Sequence, residues 1–206
     1  MLRIRLLGRF EVVRDGEPIE GDGWRRRKNE TLLKVLLSDP GKAFSQDQLI
    51  EALFAGENPR KAVQNLHARV SQLRRVLEPG LDKGTDSTFI LRQGQAYRFD
   101  PSADCWIDAV AFAEEVGAAH VLADQESWGE ASERFEEALG LCEGEFLPSD
   151  RYEEWSEARR SELHDLHLEG LSRLAECYEQ LGRLRQAITC CQRILAVEPH
   201  RESVVR

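Results

Sequence analysis

The 206-residue sequence lacks the patterns that mark membrane and secreted proteins. No apolar run approaches the roughly 18 residues that a membrane-spanning helix needs. Residues 1–16 contain no sustained apolar stretch followed by a small-residue cleavage site, so they do not resemble a signal peptide. These absences predict a cytoplasmic protein with no membrane partner.

The sequence also has few of the patterns that carry metal or catalytic chemistry. Its five cysteines are odd in number and form no CxxC pair, which indicates buried reduced thiols and neither a disulfide framework nor a zinc cluster. No GxSxG element is present, and Gly41-Lys42 lacks the upstream glycine of a phosphate-binding loop. His164 and His167 have the spacing of a metal pair, but no Glu or Cys motif supports them. We therefore expect no enzyme activity, no cofactor and no metal site.

Charge is distributed unevenly along the chain. Taken alone, the net charge of −9 argues against a nucleic-acid partner, because phosphates repel an acidic surface. Residues 1–104, however, contain 18 Lys and Arg against 15 Asp and Glu, a net charge of +3, whereas residues 105–206 contain 10 against 22, a net charge of −12. This asymmetry indicates two domains with different electrostatic roles, which we place at 1–101 and 102–206.

Local patterns in the first half predict strands, then three helices, then a hairpin. Alternating apolar and charged residues over 2–19 predict short strands, with a tight turn at Asp15-Gly16. The three helices are predicted over Arg27–Ser38, Gln46–Phe54 and residues 60–77. Two strand-like runs over 88–99 predict a β-hairpin. This order is typical of a winged helix-turn-helix, in which the hairpin is the wing.

The second half is predicted to be helical from Trp106 onward. Helices are predicted over residues 108–123, 127–142, 152–181 and Leu184–Val197, the second of them capped by Ser127 with Glu130. Short helices joined by short turns are typical of helical repeats. The expected fold is therefore mostly α with a small β content: a winged helix-turn-helix domain followed by an all-α, tetratricopeptide-like domain.

The third predicted helix, residues 60–77, has five basic residues and no acidic one. On a helical wheel its apolar stripe consists of Val63, Leu66, Val70, Leu73 and Leu77. The opposite face and its flanks carry Lys61, Gln64, Asn65, His67, Ala68, Arg69, Ser71, Gln72, Arg74 and Arg75. The major groove of DNA admits one α-helix and displays base edges that amide and guanidinium side chains match. A solvated basic face is the alternative interpretation, and the order of the neighbouring elements favours DNA binding.

A second basic cluster, residues 25–28, lies at the start of the first predicted helix. Cations at a helix N-terminus oppose the helix dipole, so this placement is locally unfavourable. Contact with phosphate would compensate for it. The alternative is that these side chains only solubilise a loop.

Three stretches of the sequence carry a resemblance to a known family. They are residues 70–77 (VSQLRRVL), Tyr97-Arg98-Phe99, and residues 139–145 (LGLCEGE) followed by Tyr152, Trp155 and Arg159. Together they resemble the SARP and AfsR-like regulators, in which an OmpR/PhoB-type winged helix is joined to a bacterial transcriptional activator domain. The resemblance covers essentially the whole chain.

The resemblance implies a set of residues that contact DNA. Major-groove contacts fall on Gln64, Asn65, His67, Ala68, Arg69 and Gln72, with Arg74 towards the DNA backbone. The predicted interface also includes Lys61, Arg75, Arg26, Arg27, Lys28, Arg92 and Gln93. The wing departs from the family's Arg-Gly-x-Gly-Tyr pattern, since Ala96 occupies the second glycine and Arg92 comes one position early.

The resemblance further implies an activator that binds direct repeats in double-stranded promoter DNA as a homodimer and recruits RNA polymerase. Leu171, Tyr178, Gly182 and other spaced residues resemble a tetratricopeptide repeat, and residues 200–206 are expected to begin another helix in a longer natural protein. An alternative function is a protein-interaction adaptor, in which the acidic helical repeats bind a basic ligand.

Overall fold

The computed structural model describes residues 1–19, 24, 27–82 and 84–197. The described residues belong to two units that interleave in sequence. The first unit consists of Met1–Ile4, Glu11–Trp106 and Tyr152–Glu157, and the second of Arg5–Phe10, Ile107–Arg151 and Ala158–Arg206. Helices dominate and the sheets are small, so the predicted mostly α fold is confirmed. The domain boundary between residues 101 and 102 stays a prediction.

A four-stranded sheet opens the first unit. Its strands are β1 (Leu2–Arg5), β2 (Glu11–Arg14), β3 (Glu17–Pro18) and β7 (Cys105–Ile107), in the order β3-β2-β1-β7. Leu2 and Ile4 are buried while Arg3 is exposed, as the two-residue period of a strand requires. Asp15 and Gly16 both adopt positive φ, 52° and 91°, in the predicted tight turn between the antiparallel strands β2 and β3.

Three helices follow in this unit. They are α1 (Arg27–Ser38), α2 (Gln46–Phe54) and α3 (Pro59–Leu77). The predicted bounds of the first two are confirmed, and α3 begins one residue earlier than predicted. At the start of α2, Gln48 N donates to Ser45 Oγ (3.2 Å) and Ser45 N donates to Gln48 Oε1 (2.9 Å), which is a capping box. Leu32, Leu36 and the other fully buried leucines of α1 pack in the core of the unit.

The predicted wing is the antiparallel hairpin of β5 (Ile90–Gln93) and β6 (Ala96–Phe99). A two-residue strand, β4 (Phe44–Ser45), pairs with β6 and gives the sheet order β4-β6-β5. No sequence pattern predicts β4, because two residues carry no periodicity. Its pairing ties the start of α2 to the wing, and Gln46 N donates to the carbonyl of Gln95 in the wing turn (3.0 Å).

The second unit is built on four helices and a short 3₁₀ turn. These elements are α4 (Asp108–Asp124), α5 (Trp128–Leu141), the 3₁₀ turn Pro148–Asp150, α6 (Glu154–Gln180), whose first residues belong to the first unit, and α7 (Leu184–Val197). Helix α6 packs against α4 and α5 at Gly170, where a Cβ atom would lie in ordinary van der Waals contact, 3.6 Å from Leu139 and 3.7 Å from Val116. The predicted helix at residues 200–206 lies outside the described residues.

Two details of the second unit correct the sequence-based predictions. Ser127 precedes α5 but makes no side-chain capping bond, and its backbone carbonyl accepts from Ala131 N instead (2.9 Å). The unit also contains extended backbone outside its helices, because the segment Arg5–Phe10 belongs to it. Leu7 forms a bridge with Phe146, and Gly8 N donates to the carbonyl of Glu145 (2.9 Å). The prediction that everything after Trp106 is helical is therefore wrong for β7 and for this bridge.

Candidate nucleic-acid interface

Helix α3 is anchored at both ends by its own sequence. Asn58 caps the N-terminus, its Oδ1 accepting from the backbone N–H of Arg60 (3.1 Å), and Pro59 occupies the first turn, where no N–H is needed. Arg74 and Arg75 lie in the last turn, where cations interact favourably with the helix dipole. Local sequence therefore defines where α3 begins and stabilises its last turn.

The buried face of α3 differs by one residue from the predicted stripe. Its buried residues are Ala62, Leu66, Val70, Leu73 and Leu77. Val63, which was predicted on the stripe, is half-buried, and Ala62 takes its place with no exposed surface. Small Ala62 at this position favours close approach of the helix to its neighbours, whereas a helical wheel weighs residues by hydrophobicity alone.

The predicted contact residues of α3 lie together on its remaining surface. Lys61, Gln64, His67, Ala68, Ser71 and Arg75 are exposed. These six residues form an exposed ridge along the helix. The ridge is flanked by half-buried residues, which are Asn65, Arg69, Gln72 and Arg74. The ridge therefore presents cations and an amide, and its flanks add polar groups whose positions are restrained by neighbouring side chains.

Hydrogen bonds hold several of these polar side chains in place. Arg69 Nη1 donates to Gln72 Oε1 (3.0 Å), so the amide oxygen of Gln72 faces Arg69. His67 Nε2 lies 3.1 Å from Nε2 of Gln46 on α2. Such contacts reduce the rotamer freedom that a side chain loses on binding a ligand.

The guanidinium group of Arg74 is hydrogen-bonded to the wing. Its Nε and Nη2 atoms donate to the backbone carbonyl of Ile90 in β5, at 3.0 and 2.7 Å. Just beyond the helix, Glu78 accepts hydrogen bonds from the Ser87 hydroxyl, from Thr88 N (3.0 Å) and from Thr88 Oγ1 (2.7 Å). The C-terminal end of α3 is thereby fixed to the chain that leads into the wing.

The wing carries its two predicted contact residues on an exposed edge. Arg92 and Gln93 are exposed, and Arg92 Nε donates to the carbonyl of Gly94 in the turn (2.9 Å). Gly94 adopts a φ of +60°, a conformation that favours glycine. The arginine is thus folded back onto its own turn.

The basic cluster before α1 is described only in part. Arg26 lies outside the described residues, as does Arg25. Arg27 is exposed, and Lys28 Nζ lies 2.8 Å from Glu57 Oε1 and 4.1 Å from the centre of the Phe54 ring. Lys28 is therefore held beside the start of α3.

Glu57 also belongs to this site, although it is not among the residues predicted from the sequence. It lies in the loop between α2 and α3 and also accepts from Asn65 Nδ2 through its second oxygen (3.0 Å). The hydrogen bond from Lys28, with a smaller contribution from Asn65, holds the pKa of Glu57 below its ordinary value. No signal in the sequence indicates this role, because Glu57 is an acidic loop residue and DNA contacts are typically made by cations and amides.

The second unit contains a surface cleft of about 320 Å³. It lies between α5, α6 and α7, and its lining includes Glu136, Tyr178, Cys190 and Arg193. The Tyr178 hydroxyl donates to Glu136 Oε1 across the cleft. Leu184 and Ile188 are exposed on α7, where their spacing of four residues places them on one side of the helix.

The histidines and cysteines of the chain are its candidate metal ligands and thiols. Within the described ranges, no three His, Cys, Asp or Glu side chains are grouped closely enough to hold a metal ion. Burial lowers the pKa of His167, so this histidine favours its neutral form. All five cysteines are free; Cys177 and Cys190 are buried, and burial raises the pKa of half-buried Cys105 to about 11.

No helix in the portion of the chain that the structure describes combines the length and the apolar content that crossing a bilayer requires.

Comparisons with known proteins cover both halves of the chain. Residues 24–99 match the family "Transcriptional regulatory protein, C terminal", and residues 107–206 match the "Bacterial transcriptional activator domain". The chain is 27% identical over 146 residues to the regulatory protein AfsR of Streptomyces coelicolor, a match covering 71% of this chain and 14% of AfsR. It is also 27% identical over 181 residues to the transcriptional regulatory protein MoaR1 of Mycobacterium tuberculosis, covering 86% of this chain and 56% of MoaR1.

A solved structure shows the same fold. It is that of Mycobacterium tuberculosis EmbR in complex with a low affinity phosphopeptide, with a TM-score of 0.82 and 25% identity over 98% of this chain and 52% of EmbR. The chain thus spans between 14% and 56% of the length of these three relatives. With a winged helix-turn-helix of the first family followed by the helical activator domain of the second, the chain belongs to the SARP and AfsR-like family of transcriptional regulators.

Proposed function

We propose that this chain binds double-stranded promoter DNA sequence-specifically through α3 and activates transcription by recruiting RNA polymerase. On this proposal it acts in the cytoplasm as a homodimer on direct repeats and has no enzyme activity. The proposal draws on the regulator family to which the chain belongs. It applies to the regions that this chain shares with its longer relatives.

The observation that carries the proposal is the polar surface of α3. Lys61, Gln64 and Arg75 are exposed along it, and the helix contains no acidic residue in a chain whose net charge is −9. Guanidinium groups match guanine edges and phosphates, and side-chain amides match adenine edges. This composition supports insertion into the major groove.

The acidic helical half is assigned a different role. Residues 105–206 have a net charge of −12, which disfavours contact with phosphate and suits a basic protein surface. We propose that this half forms tetratricopeptide-like repeats and contacts the polymerase and the second copy of the chain. The 102–206 domain would then supply protein contacts, and the 1–101 domain the contacts to DNA.

Replacing Arg69 or Gln72 tests the assignment of α3. Arg69→Ala and Gln72→Ala are each expected to weaken binding to a duplex obtained by in-vitro selection by roughly 5- to 150-fold, since a good base contact contributes about 1–3 kcal/mol. Because Arg69 donates to Gln72, the double variant should lose less than the sum of the two single losses. A gel-shift titration measures all three.

Arg185→Ala is the matched control, since it removes one positive charge from the exposed surface of α7. It should leave affinity for the selected duplex within about twofold of the unmodified protein, because surface substitutions remote from a binding site have small effects. Undiminished binding by both α3 variants would overturn the assignment of this helix.

A protein-interaction adaptor is the second candidate function. It is favoured by the cleft between α5, α6 and α7 and by exposed Leu184 and Ile188 on α7. A partner that stays bound after nuclease treatment, together with no shift of any duplex, would support the adaptor and contradict the activator.

A further inference from the structure

The carboxylate of Glu57 joins two residues of the proposed DNA interface. Lys28 Nζ, from α1, lies 2.8 Å from Oε1, and Asn65 Nδ2, from α3, donates to Oε2 at 3.0 Å. The Glu57 side chain keeps 33% of its surface exposed and that of Lys28 keeps 44%. An acidic group between two predicted DNA contacts is unexpected, because a carboxylate repels phosphates.

The contact determines which way the amide of Asn65 is turned. An ionised carboxylate only accepts hydrogen bonds, so the NH₂ group of Asn65 faces Glu57 and the reversed orientation, with Oδ1 towards the carboxylate, is disfavoured. Reading adenine requires Oδ1 to accept from N6 and Nδ2 to donate to N7. The NH₂ group has two hydrogens, so one can bond Glu57 while the second remains for the base.

The same carboxylate restrains Lys28. The Lys28 ammonium contacts both Glu57 and the face of the Phe54 ring, 4.1 Å from its centre. Its charge is thereby partly neutralised within the protein. A lysine paired in this way contributes less to the sequence-independent attraction of phosphates than a lysine in open solvent.

We propose that Glu57 determines the sequence specificity of the interface by orienting Asn65 towards an adenine edge and by restraining Lys28 from indiscriminate phosphate binding. This proposal rests on the proposed function of α3. Glu57 would raise the ratio of specific to non-specific affinity without touching DNA itself, and is in that sense a positioning residue.

Glu57→Ala is the test, with affinity measured by fluorescence anisotropy on the selected duplex and on a scrambled duplex of equal composition. The variant should lower the ratio of the two affinities by roughly tenfold, the size of one good base contact. Its affinity for the scrambled duplex should rise, and the slope of log K against log salt should steepen by about 1, because Lys28 becomes available to a phosphate.

Two further variants separate the two roles. Glu51→Ala removes the same charge from an exposed position on α2 and should change both affinities equally, leaving the ratio unaltered. Glu57→Gln removes the negative charge that restrains Lys28 and keeps one oxygen that can accept from Asn65. Its ratio should therefore fall less than that of Glu57→Ala, while its scrambled-duplex affinity rises as much.

In-vitro selection with Glu57→Ala identifies the affected position, and loss of preference at an A·T pair is the expected result. An unchanged ratio, or a change equal to that of Glu51→Ala, would overturn the role of Glu57 while leaving the proposed function intact. If the unmodified protein selects no duplex, both proposals fail together.

Discussion

At the scale of single residues, Asp108 shows how one side chain organises backbone that is distant in sequence. Its carboxylate accepts from Leu6 N (2.8 Å), from Leu7 N (3.0 Å) and from Ala109 N (2.7 Å), and the residue is only 2% exposed. A buried amide that loses its acceptor is costly. Asp108 therefore attaches the segment Arg5–Phe10 to the start of α4.

Asp108→Ala should lower the free energy of unfolding by about 3 kcal/mol, because it leaves buried N–H groups without this acceptor. Urea denaturation measures the change. Asp165→Ala, which removes an exposed aspartate of α6, is the matched control and should stay within about 0.5 kcal/mol of the unmodified protein. Equal stability of the two variants would contradict the role of Asp108.

At the scale of elements, the sequence predicts the helices and the longer strands well and misses two short strands that pair with distant partners, β4 and β7. The bounds of α1, α2 and α7 follow from apolar spacing and stop signals, which are local properties. Strands β4 and β7 are two and three residues long and exist only because partners from elsewhere in the chain pair with them. Tertiary contacts of this kind leave no pattern in the sequence.

In the candidate site, too, local patterns could be predicted from the sequence and tertiary contacts could not. The residues of α3 that face outward could be predicted from helical geometry and the resemblance, but the partners that orient them could not. Glu57 lies in a loop, and Arg74 contacts Ile90 sixteen residues later in sequence. Whether a predicted DNA contact is free or already bonded within the protein depends on folding, which composition does not reveal.

The link between α3 and the wing leads to a prediction about β5. This strand is at the edge of its sheet, and its Ile90 carbonyl accepts from Arg74. Arg74→Ala should lower the free energy of unfolding by about 1–2 kcal/mol and accelerate hydrogen exchange at the amides of β5 and β6. Urea denaturation and exchange followed by NMR are the measurements.

Arg75→Ala serves as the comparison for Arg74→Ala, since it removes the same charge from an exposed neighbour that donates only to the Ser71 hydroxyl among its described contacts. It should leave exchange in the wing unchanged. Equal acceleration by both variants would show that charge, and not the bond to Ile90, stabilises the hairpin.

At the scale of the whole molecule, the net charge differs between the two halves of the chain. The net charge of −9 combines +3 in residues 1–104 with −12 in residues 105–206. Helix α3 carries exposed cations and no acidic residue to offset them, and Lys61 and Arg75 lie on one ridge of it. The local charge of the proposed interface, and not the average, governs its attraction to phosphate.

The salt dependence of DNA binding tests whether the exposed cations of α3 contact phosphates. Affinity for the selected duplex should fall steeply as salt rises, and Lys61→Gln should reduce the slope of log K against log salt by about 1 if Lys61 contacts a phosphate. Arg183→Gln removes an exposed cation just before α7 and should leave the slope unchanged. Anisotropy titrations at several salt concentrations provide the slopes, and equal slopes for the two variants would exclude Lys61 from the interface.

The interleaved path of the chain limits how this protein can be recombined. The backbone enters the second unit at Arg5, returns to the first at Glu11, and enters the second again at Ile107. A transplant of residues 107–197 alone would leave behind the amides of Leu6 and Leu7 that Asp108 binds and the Leu7 bridge to Phe146. Any exchange of the helical half between relatives must therefore carry residues 5–10 with it, or leave the Asp108 carboxylate without the Leu6 and Leu7 amides.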